Sequence, residues 1–132
     1  MQQGALIKKA QQLNSVVLLN KSNREWEINM LPDAVQYSTA ESFYVADFNG
    51  DNIPDVLVGG NFYEIIPSIG RCDASYGTVL IGNGKGGFTV SENRNNKLFL
   101  KGAVRDIKKI GNLIAVAYNN APMEFWSVKT KK

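Results

Sequence analysis

The sequence predicts an all-β chain of antiparallel strands grouped in four-stranded units, about two units' worth in 132 residues. Three observations carry this. Apolar residues fall in short β-branched or aromatic runs, separated by turn-forming Gly, Asn, Asp and Pro. An Asp-x-Asn-Gly-Asp loop is flanked by such runs and by no helix signal. A strand–turn–strand pattern also recurs without a gap: Val16 falls on Thr78 and Trp26 on Phe88, both at an offset of 62.

Taken in order, residues 1–12 are polar around Ala5-Leu6-Ile7, a short helix or a frayed lead-in. Residues 15–19 form an apolar strand. A Lys-Ser-Asn-Arg turn follows, and residues 25–30 alternate polar and apolar as a strand with one wet face does. Pro32-Asp33 ends it, and residues 33–40 connect without a clear period. Ser42-Phe43-Tyr44-Val45-Ala46 and Val56-Leu57-Val58 flank the Asp/Asn loop as strands. Residues 62–76 are predicted to be an ordered surface excursion. Thr78-Val79-Leu80-Ile81 and Phe88-Thr89-Val90 are strands joined by a glycine-rich turn, Gly82 to Gly87. Downstream, Val104-Arg105-Asp106-Ile107 echoes Val45-Ala46-Asp47-Phe48, and Asn112-Leu113-Ile114 echoes Asp55-Val56-Leu57. The shorter loop between them carries Lys108 and Lys109 in place of oxygen ligands. Residues 123–128 are the last strand. Repeats of this length point to propellers or solenoids, and a propeller blade is a four-stranded sheet. The expected layout is a propeller fragment: a partial blade over 15–30, a full blade over 41–91 and a partial blade over 102–128.

Composition narrows the function classes. Hydrophobic residues make up 44% of the chain, enough for a core. No apolar run approaches the ~18 residues of a membrane span. The first residues lack the apolar region of a signal peptide, so a secreted parent would carry its leader elsewhere. Cys72 is the single cysteine and forms no internal disulfide. With no His, histidine-based acid–base catalysis is excluded. Five acids and no base lie between residues 41 and 70; nine bases face Asp106 and Glu124 between 94 and 132. An acidic stretch without basic neighbours is costly unless a cation sits in it. The basic third suggests nucleic acid, but its charges are spread along strands and a tail, and a solvated face is preferred.

The chemistry sits in Asp47-Phe48-Asn49-Gly50-Asp51-Asn52-Ile53-Pro54-Asp55. Asp47, Asn49, Asp51 and Asp55 occupy positions 1, 3, 5 and 9, and Ile53 at position 7 offers its carbonyl. Ca²⁺ takes 6–8 oxygens at about 2.3–2.6 Å, and a coiled loop turns alternate residues inward. The expected metal ligands are therefore Asp47, Asn49, Asp51, the Ile53 carbonyl and Asp55, with Ca²⁺ as the cofactor. The competing account is an Asp/Asn/Gly turn that binds nothing. Together with the following Val-Leu-Val-Gly-Gly-Asn, the loop resembles the FG-GAP or VCBS repeat of β-propellers, as in the integrin α-subunit head. With Gly60-Asn61-Phe62-Tyr63, residues 69–77, Val104 to Ile107 and Asn119 to Pro122, residues 15–128 look like the C-terminal part of bacterial secreted VCBS-repeat proteins related to cartilage acidic protein. That family usually has Gly where Asn52 stands; Asn also tolerates a left-handed backbone.

Other candidates are weaker. Gly82 to Gly87 contains Gly-Lys but lacks P-loop spacing, and a hairpin turn explains it. Cys72 beside Arg71 has no His base. Asp73 and Ser75 suit loop capping better than ligand contact. Trp26, Phe88, Phe125 and Trp126 would stack on sugars or, more simply, pack between blades.

The expected function is a calcium-binding, non-catalytic scaffold or recognition module of an extracellular or cell-surface protein, secreted or periplasmic in its parent, with a protein or glycan ligand. The alternatives are part of a calcium-dependent polysaccharide-active enzyme and a nucleic-acid binder. Two incomplete units leave sheet edges unpaired, so the expected partners are further copies in a homo-oligomer or the remaining blades of a longer propeller.

Overall fold

The computed structural model describes residues 8–66, 68, 70–92 and 97–127. Among them the strands are β1 (Val16–Asn20), β2 (Trp26–Met30), β3 (Ala40–Ala46), β4 (Asp55–Gly60), β5 (Thr78–Gly82), β6 (Phe88–Ser91), β7 (Val104–Ile110), β8 (Leu113–Tyr118) and β9 (Ala121–Ser127). A 3-10 turn, Asp33–Val35, interrupts the connector between β2 and β3. The protein is all-β. Its antiparallel sheets have two strands (β1-β2), four (β3-β4-β5-β6) and three (β7-β8-β9), each strand pairing only with its neighbours in sequence. Among the described residues no helix is long and apolar enough to cross a membrane. The predicted lead-in at Ala5-Leu6-Ile7 and the end of the last strand at Val128 lie outside the described residues.

The two hairpins that echo each other in sequence share a register. Asn20 pairs with Trp26 and Leu18 with Ile28; at the same offset Gly82 pairs with Phe88 and Leu80 with Val90. The second echo is corrected. β3 and β7 both hold seven residues and bulge near their starts, between Ala40 and Ser42 and between Val104 and Asp106. Matching bulge to bulge sets Val104 on Ala40 and Asp106 on Ser42, not on Asp47. Lys108 and Lys109, expected in a loop, are paired strand residues opposite Ala115 and Ile114. The eight residues between β3 and β4 are replaced by the two-residue turn Gly111-Asn112, with Gly111 left-handed at φ 59°.

Alternation along β4 and β5 gives the four-stranded sheet two apolar faces. Leu57 and Val79 pack with Ile107, Ile114 and Val116 of the third sheet and with Leu100 to form the main core. Gly59 lies under this contact: a Cβ there would stand 2.8 Å from Val104 Cγ1. Its missing side chain lets β4 and β7 approach. Val58 and Leu80 face the other way and pack with Val35, Leu31 and Phe88. Gln36 anchors the chain leaving the hairpin: its amide donates to the Ser15 and Leu31 carbonyls, both at 3.0 Å, and its Oε1 accepts the Ser15 N–H. The hairpin also meets the β5–β6 turn, where Leu19 lies against Gly86 and Asn29 Nδ2 donates to the Gly86 carbonyl.

Among the described residues exposed apolar side chains remain on all three sheets; on the four-stranded sheet they are Phe43, Val45 and Val90, on the Val58 and Leu80 face. On the hairpin, register places Leu18, Trp26, Ile28 and Met30 on one side, and all four are exposed. On the third sheet, the face opposite Ile107 and Val116 carries Ile110, Leu113, Met123 and Phe125, all exposed.

Candidate functional site

The Asp/Asn loop spans residues 47–54, between the last pair of β3 and β4, Ala46 opposite Asp55. It is coiled by its own side chains. Asp47 accepts the Gly50 N–H on Oδ1 (2.6 Å) and the Asn52 N–H on Oδ2 (2.9 Å). Asn49 Oδ1 accepts the Asp51 N–H at 2.9 Å, and Asp51 Oδ1 accepts the Ile53 N–H at 2.7 Å. Short polar side chains bonding the backbone two or three residues on are what favour Asp and Asn in turns. Gly50 (φ 89°) and Asn52 (φ 65°) supply the left-handed positions. The Asn52 and Gly50 N–H groups hold the Asp47 carboxyl below its ordinary value. A further bond, Asn49 Nδ2 to Asp51 Oδ2 at 2.8 Å, ties the exposed side chains together.

Asp55 plays a different part. It is fully buried, accepting the Phe48 N–H on Oδ2 and the Gly82 N–H on Oδ1, both at 2.9 Å. It thereby clamps the start of the loop to the end of β5. Gly82 permits this: any Cβ there would run into the Pro54 carbonyl. Of the five predicted ligands, the structure brings Asp47, Asn49 and Asp51 into one coil, leaves Ile53 part-buried beside them and turns Asp55 inward. Among the described residues no three Asp, Glu or Cys side chains gather into a metal-holding group. The donor chemistry nevertheless suits calcium. The candidate donors are oxygens, and each carboxylate oxygen that accepts one N–H keeps a further lone pair.

The remaining candidates are structural. The Gly82–Gly87 run is a hairpin turn, in which Asn83 Oδ1 accepts the Lys85 and Gly87 N–H groups. Cys72 is part-buried, and its backbone pairs with Phe62 across the excursion. Ser75 caps: its Oγ accepts the Gly77 N–H, and its own N–H and carbonyl bind Asn61. Asp73 is exposed. Phe88 and Trp126 are partly buried against the two cores, while Trp26 and Phe125 stand in water rather than in a core.

Sequence reasoning missed the polar seam between the larger sheets. Buried Ser42 donates to Asp106 Oδ1 (3.2 Å), and the Ile107 N–H donates to both. At Asp106, burial raises the carboxyl pKa, but the Ile107 N–H, Lys108 and Ser42 outweigh it and the net shift is downward. Asn61, 2% exposed, donates to the Ser75 and Gly102 carbonyls and accepts from Ser38. Arg105 lies over Phe62 and donates to the Asn61 carbonyl at 3.2 Å, with Glu41 at 3.9 Å. No sequence signal marks it, because the bulges that precede Ser42 and Asp106 appear only in the strand pairing.

No family model, curated protein or solved structure matches this chain. The repeat resemblance therefore stands on the residues of the loop and its flanking strands.

Proposed function

We propose that this chain is a calcium-stabilised, non-catalytic scaffold or recognition module of an extracellular or cell-surface protein, its sheets stacking as FG-GAP-type propeller blades. One observation carries the reading. The loop from Asp47 to Asp55 sets oxygen side chains at alternate positions and coils them through main-chain N–H donors. No base stands between residues 41 and 70 to balance them. The ion would be held by Asp47, Asn49, Asp51, the Ile53 carbonyl and a free lone pair of Asp55. When bound, calcium neutralises the exposed carboxylates. Binding the folded form alone adds RT ln(1 + [Ca]/Kd) to stability. Loop coiling by Asp47 and clamping by Asp55 are properties of the chain itself and order the loop without the ion.

Calorimetric titration of chelator-treated protein tests this. Calcium should bind with one-site stoichiometry and raise the melting temperature, and Mg²⁺ should compete poorly because it demands a smaller octahedral shell. Asp51→Ala should abolish the heat. No heat and no melting shift at millimolar calcium would overturn the proposal.

A further inference from the structure

The β5–β6 turn touches both the Asp/Asn loop and the β1–β2 hairpin. Four of its six residues, Gly82 to Gly87, are glycine, and Gly84 (φ 71°) and Gly86 (φ 81°) are left-handed. Such a run loses more backbone entropy on ordering than any other. Asn83 holds the turn from within: its Oδ1 accepts the Lys85 and Gly87 N–H groups, and its own N–H donates to the Gly87 carbonyl at 3.0 Å. The loop holds it from outside. Asp55 Oδ1 accepts the Gly82 N–H at 2.9 Å. Ile53 leans on the glycines: Cβ atoms at Gly82 and Gly84 would stand 3.4 Å from its Cγ2 and 3.7 Å from its Cδ1. Ile53 is placed in turn by the loop, since its N–H donates to Asp51 Oδ1 at 2.7 Å. On its other side the turn carries the hairpin. Leu19 fills the space over Gly86, where any Cβ would collide with it, and Asn29 Nδ2 donates to the Gly86 carbonyl at 3.4 Å. With Leu18, Trp26, Ile28 and Met30 exposed, the hairpin leans on this contact and on Gln36 at its root.

We propose that this turn is a relay through which the Asp/Asn loop sets how often the hairpin opens. The element with two states is the hairpin, docked on Gly86 or lifted from it. Docking needs the Gly86 carbonyl and its bare Cα presented together to Asn29 and Leu19. A glycine-rich turn presents them only while it is ordered, and Asp55 and Ile53 order it from a coiled loop. Loosening the loop therefore removes the platform and leaves the hairpin's own ladder intact. The effector is calcium, a step that rests on the proposed function: an ion that binds the coiled loop favours the ordered turn and hence the docked hairpin. Such coupling is reciprocal, so docking strengthens calcium binding by the factor by which calcium strengthens docking.

The experiment is amide hydrogen exchange on the full chain, in chelator and again at millimolar calcium, with calorimetry of calcium binding alongside. Ile53→Ala keeps the main-chain carbonyl and takes the side chain off the turn. In chelator it should speed exchange of the hairpin amides about 5-fold, the lower end of ordinary coupling between sites, because the contact is only part-buried. Ile53→Val, with a smaller effect, replaces it if it fails to fold. Ile114→Val thins the main core away from the turn. It should leave the hairpin rates unchanged, because amides that exchange by local opening do not follow global stability. Calcium should slow hairpin exchange in the wild type and slow it less in Ile53→Ala. Leu19→Ala, in the hairpin, should weaken calcium binding by about the factor by which calcium slows wild-type hairpin exchange. Absence of calcium heat in the wild type would overturn the calcium reading and leave the relay to be decided by the chelator comparison. Hairpin rates that Ile53→Ala leaves unchanged in chelator, or that Ile114→Val raises equally, would overturn the relay. So would calcium that binds with heat and leaves hairpin exchange as it was.

Discussion

Asp55→Ala is the most informative single change. The native carboxylate is wholly buried and its two oxygens accept the Phe48 and Gly82 N–H groups at 2.9 Å. Alanine removes both acceptors. The Gly82 bond is buried, so its donor is stranded and costs about 1–3 kcal/mol. The Phe48 N–H is part-buried and regains some water, so its loss sits at the lower end of the same range. Packing loss from the vacated volume adds a further fraction. The expected destabilisation is about 2.5–4.5 kcal/mol, a large share of the roughly 5–15 kcal/mol total of a domain. With ~2.1 cal/mol/K of unfolding entropy per residue, that is a fall in melting temperature of about 9–16 °C for 132 residues. Urea titration in chelator measures it, so that metal loss does not enter. Asp51→Ala, on the exposed side of the same loop, is the control at about 0.5 kcal/mol. If Asp55→Ala cost no more than Asp51→Ala, the clamp would not exist.

Asp106→Ala should leave calcium binding unchanged and lower stability, because it removes the acceptor of the Ser42 hydroxyl and one of the two acceptors of the Ile107 N–H; calorimetry and urea titration read the two effects separately. Gly59→Ala forces a Cβ to within 2.8 Å of Val104 Cγ1 and 3.0 Å of Ile107 Cδ1, with an expected cost of about 1–3 kcal/mol in the same titration. Asp47 and Asp106 have folded pKa values below the ordinary 3.8, so in acid the unfolded chain binds more protons. Their contribution is complete above 3.8 and is lost as pH falls through the folded values. The urea midpoint should therefore drop below that pH, and Asp47→Asn should flatten the drop.

Much of the strand layout was legible in the sequence. The β1–β2 and β5–β6 hairpins are short apolar runs around turn residues, and their offset of 62 survives as a shared register. The Asp/Asn loop was legible because Asx bonding is local: each partner lies within five residues. Asp55's role was not, since its burial depends on Gly82, 27 residues away. The misalignment of Asp106 with Asp47 has a similar cause. Val-x-Asp in letters outweighed a bulge at Arg105 that only pairing reveals. Trp26 and Phe125 were expected to pack between blades, because composition does not distinguish a buried face from an exposed one.

The sequential pairing of the strands bears on how the chain folds. The widest strand pairing, Val56 with Leu80, closes 24 residues, and most hairpins close far fewer. Loop closure costs little at these lengths, and local pairings form quickly. The sheets can therefore appear as separate nuclei, before Asn61 reaches Gly102 or Ser42 reaches Asp106. Docking of formed sheets, rather than their formation, becomes the late event. The hairpin, held by Gln36 and a few contacts to the Gly86 turn, becomes the unit that opens first in the finished protein. Its amides should exchange with solvent by that local opening while the β4–β5 ladder exchanges only through global unfolding.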